Sequence, residues 1–276
     1  MKWLHFILSH SVFIAVCAVA MAFQTALLLH LNNSFYLYGF IFFATLCSYN
    51  FYWIISKAAF TQPNNLSLLL KKEITGLVIL FLSSIGVIFC LIKQPLPIGF
   101  IFTSVLLTCL YALPLLPFRG LHFIRRAGVL KTVLLAFTWA YVTVFIPLQK
   151  TYPLLTGADW FVFTRRFLFM LMLCIIFDNR DKAVDKIRGL HSLATDLKPA
   201  HLKIIIGFIF IILFGTNFLY SFYSITFHQS IALHISTLAL LAVYFFSTKK
   251  QGYLFYYFFV DGMMLFSALA TYIASI

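Results

Sequence analysis

Three features of this 276-residue sequence predict an all-α polytopic membrane protein with nine transmembrane helices around a central cavity. The chain is 63% hydrophobic and only 10% charged, whereas a soluble domain carries about a quarter charged residues. Its apolar runs are long and continuous instead of alternating, which argues for helices and against a barrel. Its basic residues gather in every second connection between those runs, the pattern of a chain that crosses a bilayer repeatedly.

Each crossing needs about 20 apolar residues, and lipid leaves no backbone polar group to solvent. The first run, 11–30, is too long for a cleaved leader and no small-residue cleavage site follows it, so it is read as a span. The second, 35–56, ends at Lys57. The third, 74–92, starts after Glu73. The fourth, 97–117, opens on Pro97, whose missing N–H is tolerated in a first turn. The fifth, 129–149, closes near Pro147. The sixth, 160–177, runs straight into an acidic segment. Runs 202–224, 229–247 and 253–275 complete the set. No Pro/Gly/Ser-rich linker divides them, so 1–276 is read as one domain. The longest hydrophilic stretch is 178–203, followed by 57–73 and 118–128.

Lys2, Lys57, Lys71, Lys72, Arg119, Arg125, Arg126, Lys131, Arg180, Lys182, Lys186, Arg188, Lys198, Lys203, Lys249 and Lys250 fall on one side of this topology. Only Lys93, Lys150, Arg165 and Arg166 fall on the other. The positive-inside rule then puts the N-terminus and the hydrophilic stretches in the cytoplasm, with the protein integral to the cytoplasmic membrane. Much of the +13 net charge follows from that asymmetry. The remainder suits anionic headgroups or a phosphate-bearing substrate. Nucleic acid is excluded as a partner, because no soluble domain presents a basic face. The five cysteines all lie within runs and form no CxxC pair, so they read as small core residues. His234 lies inside a run and reads as a packed or hydrogen-bonded residue.

The chain has only seven acidic residues, and Asp178, Asp181 and Asp185 are three of them. Positions i, i+3 and i+7 share one helix face. Carboxylates so placed repel one another unless a cation lies between them. Oxygen ligands of this kind suit Mg²⁺ with water and a substrate phosphate. Arg180, Lys182, Lys186 and Arg188 are the alternative source of neutralising charge. Asp261, inside the last run, reads as a structural hydrogen-bonding or ion-pairing group, and Asp159 and Asp196 as solvated loop residues.

The segment Asp178-Asn-Arg-Asp181-Lys-Ala-Val-Asp185 after the sixth run resembles the DxxDxxxD motif of the UbiA superfamily of intramembrane prenyltransferases. Gly189-Leu-His-Ser192-Leu193-Ala194 is similar to the Gly and Thr-Leu-Pro that often follow, without the proline. Leu110-Tyr111-Ala-Leu-Pro114, with basic Arg119, Arg125 and Arg126 after it, is similar to the family's Tyr/Pro segment before helix five. The family's first motif, Asn-Asp-x-x-Asp, corresponds to Asn50-Phe51-Tyr52-Trp53-Ile54. Asn50 matches, while Phe51 and Ile54 stand where the aspartates belong.

The resemblance implies a prenyltransferase that moves an isoprenoid group from a prenyl diphosphate to a lipophilic, membrane-associated acceptor, assisted by Mg²⁺. It implies that Asp178, Asp181 and Asp185 hold the metal and that Tyr111 lines the reaction cavity. Asn50, Lys57, Arg125, Arg126 and Lys131 would then bind the substrate, the basic residues clamping diphosphate in place of the missing first motif. The alternative is a catalytically silent isoprenoid or lipid-headgroup binder on the same fold. A small transporter is the weakest reading, for intramembrane charge is sparse and no inverted repeat is visible. The sequence carries no sign of oligomeric state.

Overall fold

A computed structural model describes residues 2–59, 73–112, 128–149, 154–188, 191–223 and 225–276. Helices account for nearly all of them: α1 (Lys2–Ser9), α2 (Val12–Leu28), α3 (Phe35–Ala59), α4 (Ile74–Lys93), α5 (Ile98–Ala112), α6 (Gly128–Leu148), α7 (Gly157–Arg188), α8 (Leu193–Asp196), α9 (Pro199–Thr216), α10 (Phe227–Ser247) and α11 (Asp261–Ile273). No strand occurs among the described residues.

The chain is a multi-pass membrane protein. Among the described residues seven helices are long and apolar enough to cross a membrane, and the bent pair α1–α2 makes an eighth when counted as one span. Each of the nine expected runs has a helix in its place, but α5 has only 15 residues. That is about 22 Å of helix, short of a hydrocarbon core of about 30 Å. The run expected to continue to 117 passes into residues outside those described.

Neighbours in the bundle follow from packing. On one side α4 packs on α3, α3 on α2, α2 on α11 and α11 on α10. On the other, α5 lies on α6, α6 on α7 and α7 on α9. Fully buried Met172, Ile175 and Ile176 make α7 the central element. By contrast Phe81, Ile88 and Ile92 of α4 are exposed, and so are Ile204, Phe208 and Ile211 of α9. Such exposure is what a lipid-facing surface requires, since there burial gains nothing.

Local irregularities have identifiable partners. The chain bends by 67° between α1 and α2, with Ser11 left-handed at φ 64°. The His10 carbonyl released by this bend accepts a bond from Asn50 Nδ2 at 3.2 Å. In α6, Pro147 has no N–H to offer the Thr143 carbonyl four residues earlier. The helix widens into a π segment over Tyr141–Phe145, and Thr25 Oγ1 of α2 donates to that carbonyl at 2.8 Å. A second π segment, Phe255–Val260, leads into α11.

Two glycines allow close approach. A Cβ at Gly128 would lie 2.4 Å from Ser192 N and 2.5 Å from Asp196 Oδ2, so the start of α6 can meet the 191–196 turn only with glycine there. At Gly86 a Cβ would fall 2.5 Å from the Phe43 ring, and its absence lets α3 and α4 pack tightly.

Candidate functional site

The C-terminal end of α7 carries Asp178, Asp181 and Asp185, and each has a different environment. Asp178 Oδ2 accepts from Thr132 Oγ1 of α6 at 2.5 Å. Thr132 itself accepts from Leu193 N at 3.3 Å, so one hydroxyl ties α7 to α6 and to the α8 turn. A capping box between Ser192 and Thr195 forms that turn. Asp181 is held by its neighbour Arg180 through two bonds, Nε to Oδ1 at 2.7 Å and Nη2 to Oδ2 at 2.8 Å. Asp185 is buried.

Lys131 of α6 brings a half-buried cation to this end. It stands in the electrostatic field of Asp185, Asp178 and Asp181. Its Nζ lies 6.0 Å from the centre of the Tyr111 ring. Tyr111 in turn sits 4.9 Å from Tyr52, centroid to centroid. Deeper in the same region Trp139 Nε1 donates to Tyr49 Oη at 3.2 Å. The result is a column of aromatic rings from α3, α5 and α6 running toward the carboxylates.

Across from these, Arg180 lies over three rings, at 4.8 Å from Phe177, 5.1 Å from Tyr256 and 4.9 Å from Tyr257. The second π segment delivers both tyrosines and then turns Asp261 inward, where it is buried. A cavity of about 270 Å³ opens beside Arg180 and is lined by Asn179, Tyr256, Thr248, Lys249 and Lys250 among others.

Four expected substrate contacts are engaged elsewhere or lie outside the described residues. Asn50 is buried and spends its amide on the carbonyls of His10 and Leu46. Lys57 pairs with Glu73 at 2.6 Å and lies 5.0 Å from the Trp53 ring. Arg125 and Arg126 belong to a segment outside the described residues. Phe51 is exposed, so in the degenerate first motif it is Tyr52 that turns to the column. Nothing in the spacing marked Tyr52, but its position one residue after Phe51 is a helical step of about 100° toward the other face.

Among the described residues no group of three or more His, Cys, Asp or Glu side chains could hold one metal ion. Magnesium needs only one or two carboxylates beside water and phosphate. Asp178 and Asp185 stand in each other's field and supply oxygen donors of the right kind. They lie about two helical turns apart on α7, and Asp181 between them is turned to Arg180.

Asp159 is not solvated. It is 1% exposed and accepts from Thr156 N at 2.8 Å, while its own N–H reaches Thr156 Oγ1 at 3.3 Å. This reciprocal box satisfies the first turn of α7, whose N–H groups have no helical partner. Asp196 accepts from His191 Nδ1 at 2.7 Å instead of facing water alone. His234 packs between Phe214 and Phe218 and bonds the Ser230 carbonyl.

No protein-family profile matches this sequence, and no curated protein matches it. The fold does have a counterpart among solved structures. The apo structure of a UbiA homolog from Aeropyrum pernix K1 superposes with a TM-score of 0.57 over 94% of this chain and 96% of that one, at 13% identity. The chain therefore has the fold of a UbiA homolog.

Proposed function

We propose that this chain is a UbiA-type prenyltransferase of the cytoplasmic membrane, with its N-terminus in the cytoplasm. It would transfer an isoprenoid group from a prenyl diphosphate to a lipophilic acceptor. The observation that carries the reading is half-buried Lys131, in the field of the α7 aspartates and over the Tyr111 ring of the Tyr111–Tyr52 pair at one end of the UbiA-like bundle.

Prenyl transfer breaks the allylic C–O bond, and the diphosphate leaves with the electron pair. Lys131 lies where that negative charge would be met, and a fixed cation at a low-dielectric site lowers the barrier to charge separation. The faces of Tyr111 and Tyr52 favour the allylic cation that remains. Tyr49 and Trp139 extend an apolar wall that keeps water from quenching it. The acceptor's nucleophilic atom then forms the new bond to carbon and gives up its proton. Asp178 and Asp185 would hold Mg²⁺, which when bound supplies Lewis-acid neutralisation of the diphosphate. Arg125 and Arg126 remain candidates for the same clamp from the 113–127 connection.

A specific observation favours a silent isoprenoid or headgroup binder as the second reading. The first motif offers no carboxylate at Phe51 or Ile54, and the Asn50 amide is committed to backbone. Purified protein in detergent, given radiolabelled prenyl diphosphates and a lipid extract with Mg²⁺ or with a chelator, separates the two. Labelled lipid product that depends on Lys131 and Asp178 supports the enzyme. Saturable donor binding without product supports the binder.

A further inference from the structure

At the opposite end of α7 two arginines are buried with neutral partners only. Arg165 is 9% exposed and Arg166 4%. They lie roughly 18 Å or more along the helix from Asp178. Arg165 Nη1 donates to the Leu213 carbonyl and to Thr216 Oγ1, both at 3.0 Å. Arg166 Nη2 donates to Gln24 Oε1 at 3.0 Å and Thr25 Oγ1 at 3.2 Å. Gln24 is itself anchored, its Nε2 reaching Ser267 O, Ser267 Oγ and Thr271 Oγ1 at 2.8–2.9 Å. The amide oxygen is thereby aimed at Arg166.

Among the described residues no carboxylate forms an ion pair with either guanidinium. Arg166 Nη1 is buried without any partner. Both side chains line a cavity of about 30 Å³ whose remaining wall includes polar Gln24 and Ser267 and apolar Met21 and Phe169. Arginine stays charged, and long basic side chains in a membrane ordinarily snorkel to water. These two do neither the escaping nor the pairing, so two positive charges remain in a partly open, largely apolar place. Water there would satisfy a proton but not the charge.

We propose that this cavity is a binding site for a small monovalent anion, held by Arg166 Nη1 and Arg165. Its size sets the ligand class. One water needs about 10–15 Å³ of such space, so this cavity admits two water-sized atoms or so. A halide with one water fits, as do the two oxygens of a carboxylate. A phosphate ester or diphosphate does not, which separates this site from the one at the Asp178 end. The anion comes either free from solution, as halide, or as the headgroup of a membrane-soluble carboxylic acid.

The full-length protein in detergent, prepared in sulfate at constant ionic strength, is titrated with chloride and separately with hexanoate. Unfolding temperature and dialysis binding of labelled chloride or hexanoate are read. Binding to the native state alone raises the unfolding temperature saturably. A saturable response to chloride supports a halide site, and a response to hexanoate alone supports a carboxylate headgroup site. Arg166→Met is expected to weaken the effective anion by about tenfold or more. Gln24→Glu places a carboxylate beside Arg166 within the chain. It is expected to abolish the response, because the new carboxylate supplies the charge that the anion would supply. No saturable response in the unmodified protein overturns the proposal, as does a response that survives in both variants. The titration of the unmodified protein decides alone if a variant does not fold.

Discussion

The two ends of α7 handle charge in opposite ways. At the Asp178 end, acids and bases share one neighbourhood: Thr132 bonds Asp178, Arg180 holds Asp181, and Lys131 lies in the field of the aspartates. At the Arg165 end, two cations meet hydroxyls, an amide and a carbonyl, with no acid paired to them among the described residues. A mutually neutralised cluster can fold without a ligand and still keep an asymmetric field for one. An uncompensated pair needs something from outside the chain, because buried charge is costly until it is paired. Local charge density in the sequence draws attention to the first end, yet the second has the larger electrostatic deficit.

The largest expected effect tests the first end. Asp178→Asn and Lys131→Met should each lower prenyl-transfer turnover about 10²–10³-fold, the scale of removing one charge-stabilising contact. Both should keep a folded elution profile, because Thr132 and the tyrosine column still pack. A variant with unchanged turnover in the labelled-donor assay would break the functional half of the comparison.

Next comes the support beneath that end. Gly128→Ala drives a methyl group into Ser192 and Asp196. Overpacking of this kind costs about 1–3 kcal/mol. The expected result is a lower unfolding temperature together with reduced donor affinity, since the same turn supports Thr132 and Asp178. Loss of stability alone would uncouple the turn from the site.

Thr25→Val sharpens the picture at the Arg165 end. It strips the hydroxyl that serves the Thr143 carbonyl at 2.8 Å and accepts from Arg166 at 3.2 Å. A buried group left without its partner costs about 1–3 kcal/mol, read as a lower midpoint in a thermal melt. Turnover should be spared, because the residue is remote from the carboxylates.

Lys57→Ala should do least. Its partner Glu73 is close, but both side chains are partly exposed, at 34% and 21%. Such pairs contribute about 0–1 kcal/mol. A donor-affinity loss larger than that, measured by equilibrium binding, would return Lys57 to the diphosphate clamp.

Much of the fold was legible because a bilayer constrains a chain so tightly. Runs of apolar residues must become helices, and their lengths and basic flanks order them, so a helix stands in the place of each run, although α7 continues to Arg188, well past the expected end at 177. Pro147 marks the close of the fifth run in the sequence, with no sign there of the π segment before it or of Thr25 serving the freed carbonyl. Asp178 and its neighbours were visible because acids are rare here and helix periodicity puts i, i+3 and i+7 on one face.

What remained hidden depended on contacts between segments distant in the chain. Asp159 looked like a loop residue and proved to be a buried cap, because capping is decided by backbone geometry at Thr156. Asn50 matched a motif, yet it answers a bend forty residues earlier. Lys131 resembled any basic residue at a helix start until α6 packed on α7 and brought it into the field of the aspartates. Arg165 and Arg166 resembled outer-side flanking charges until α2, α9 and α11 enclosed them. Composition and period alone determined that this chain spans a membrane with helices and where its acids cluster, for those follow from transfer free energy and the 3.6-residue turn. Only the tertiary structure decided which charges neutralise one another and which do not, because Coulomb energy depends on distance and burial across helices and not on order along the chain.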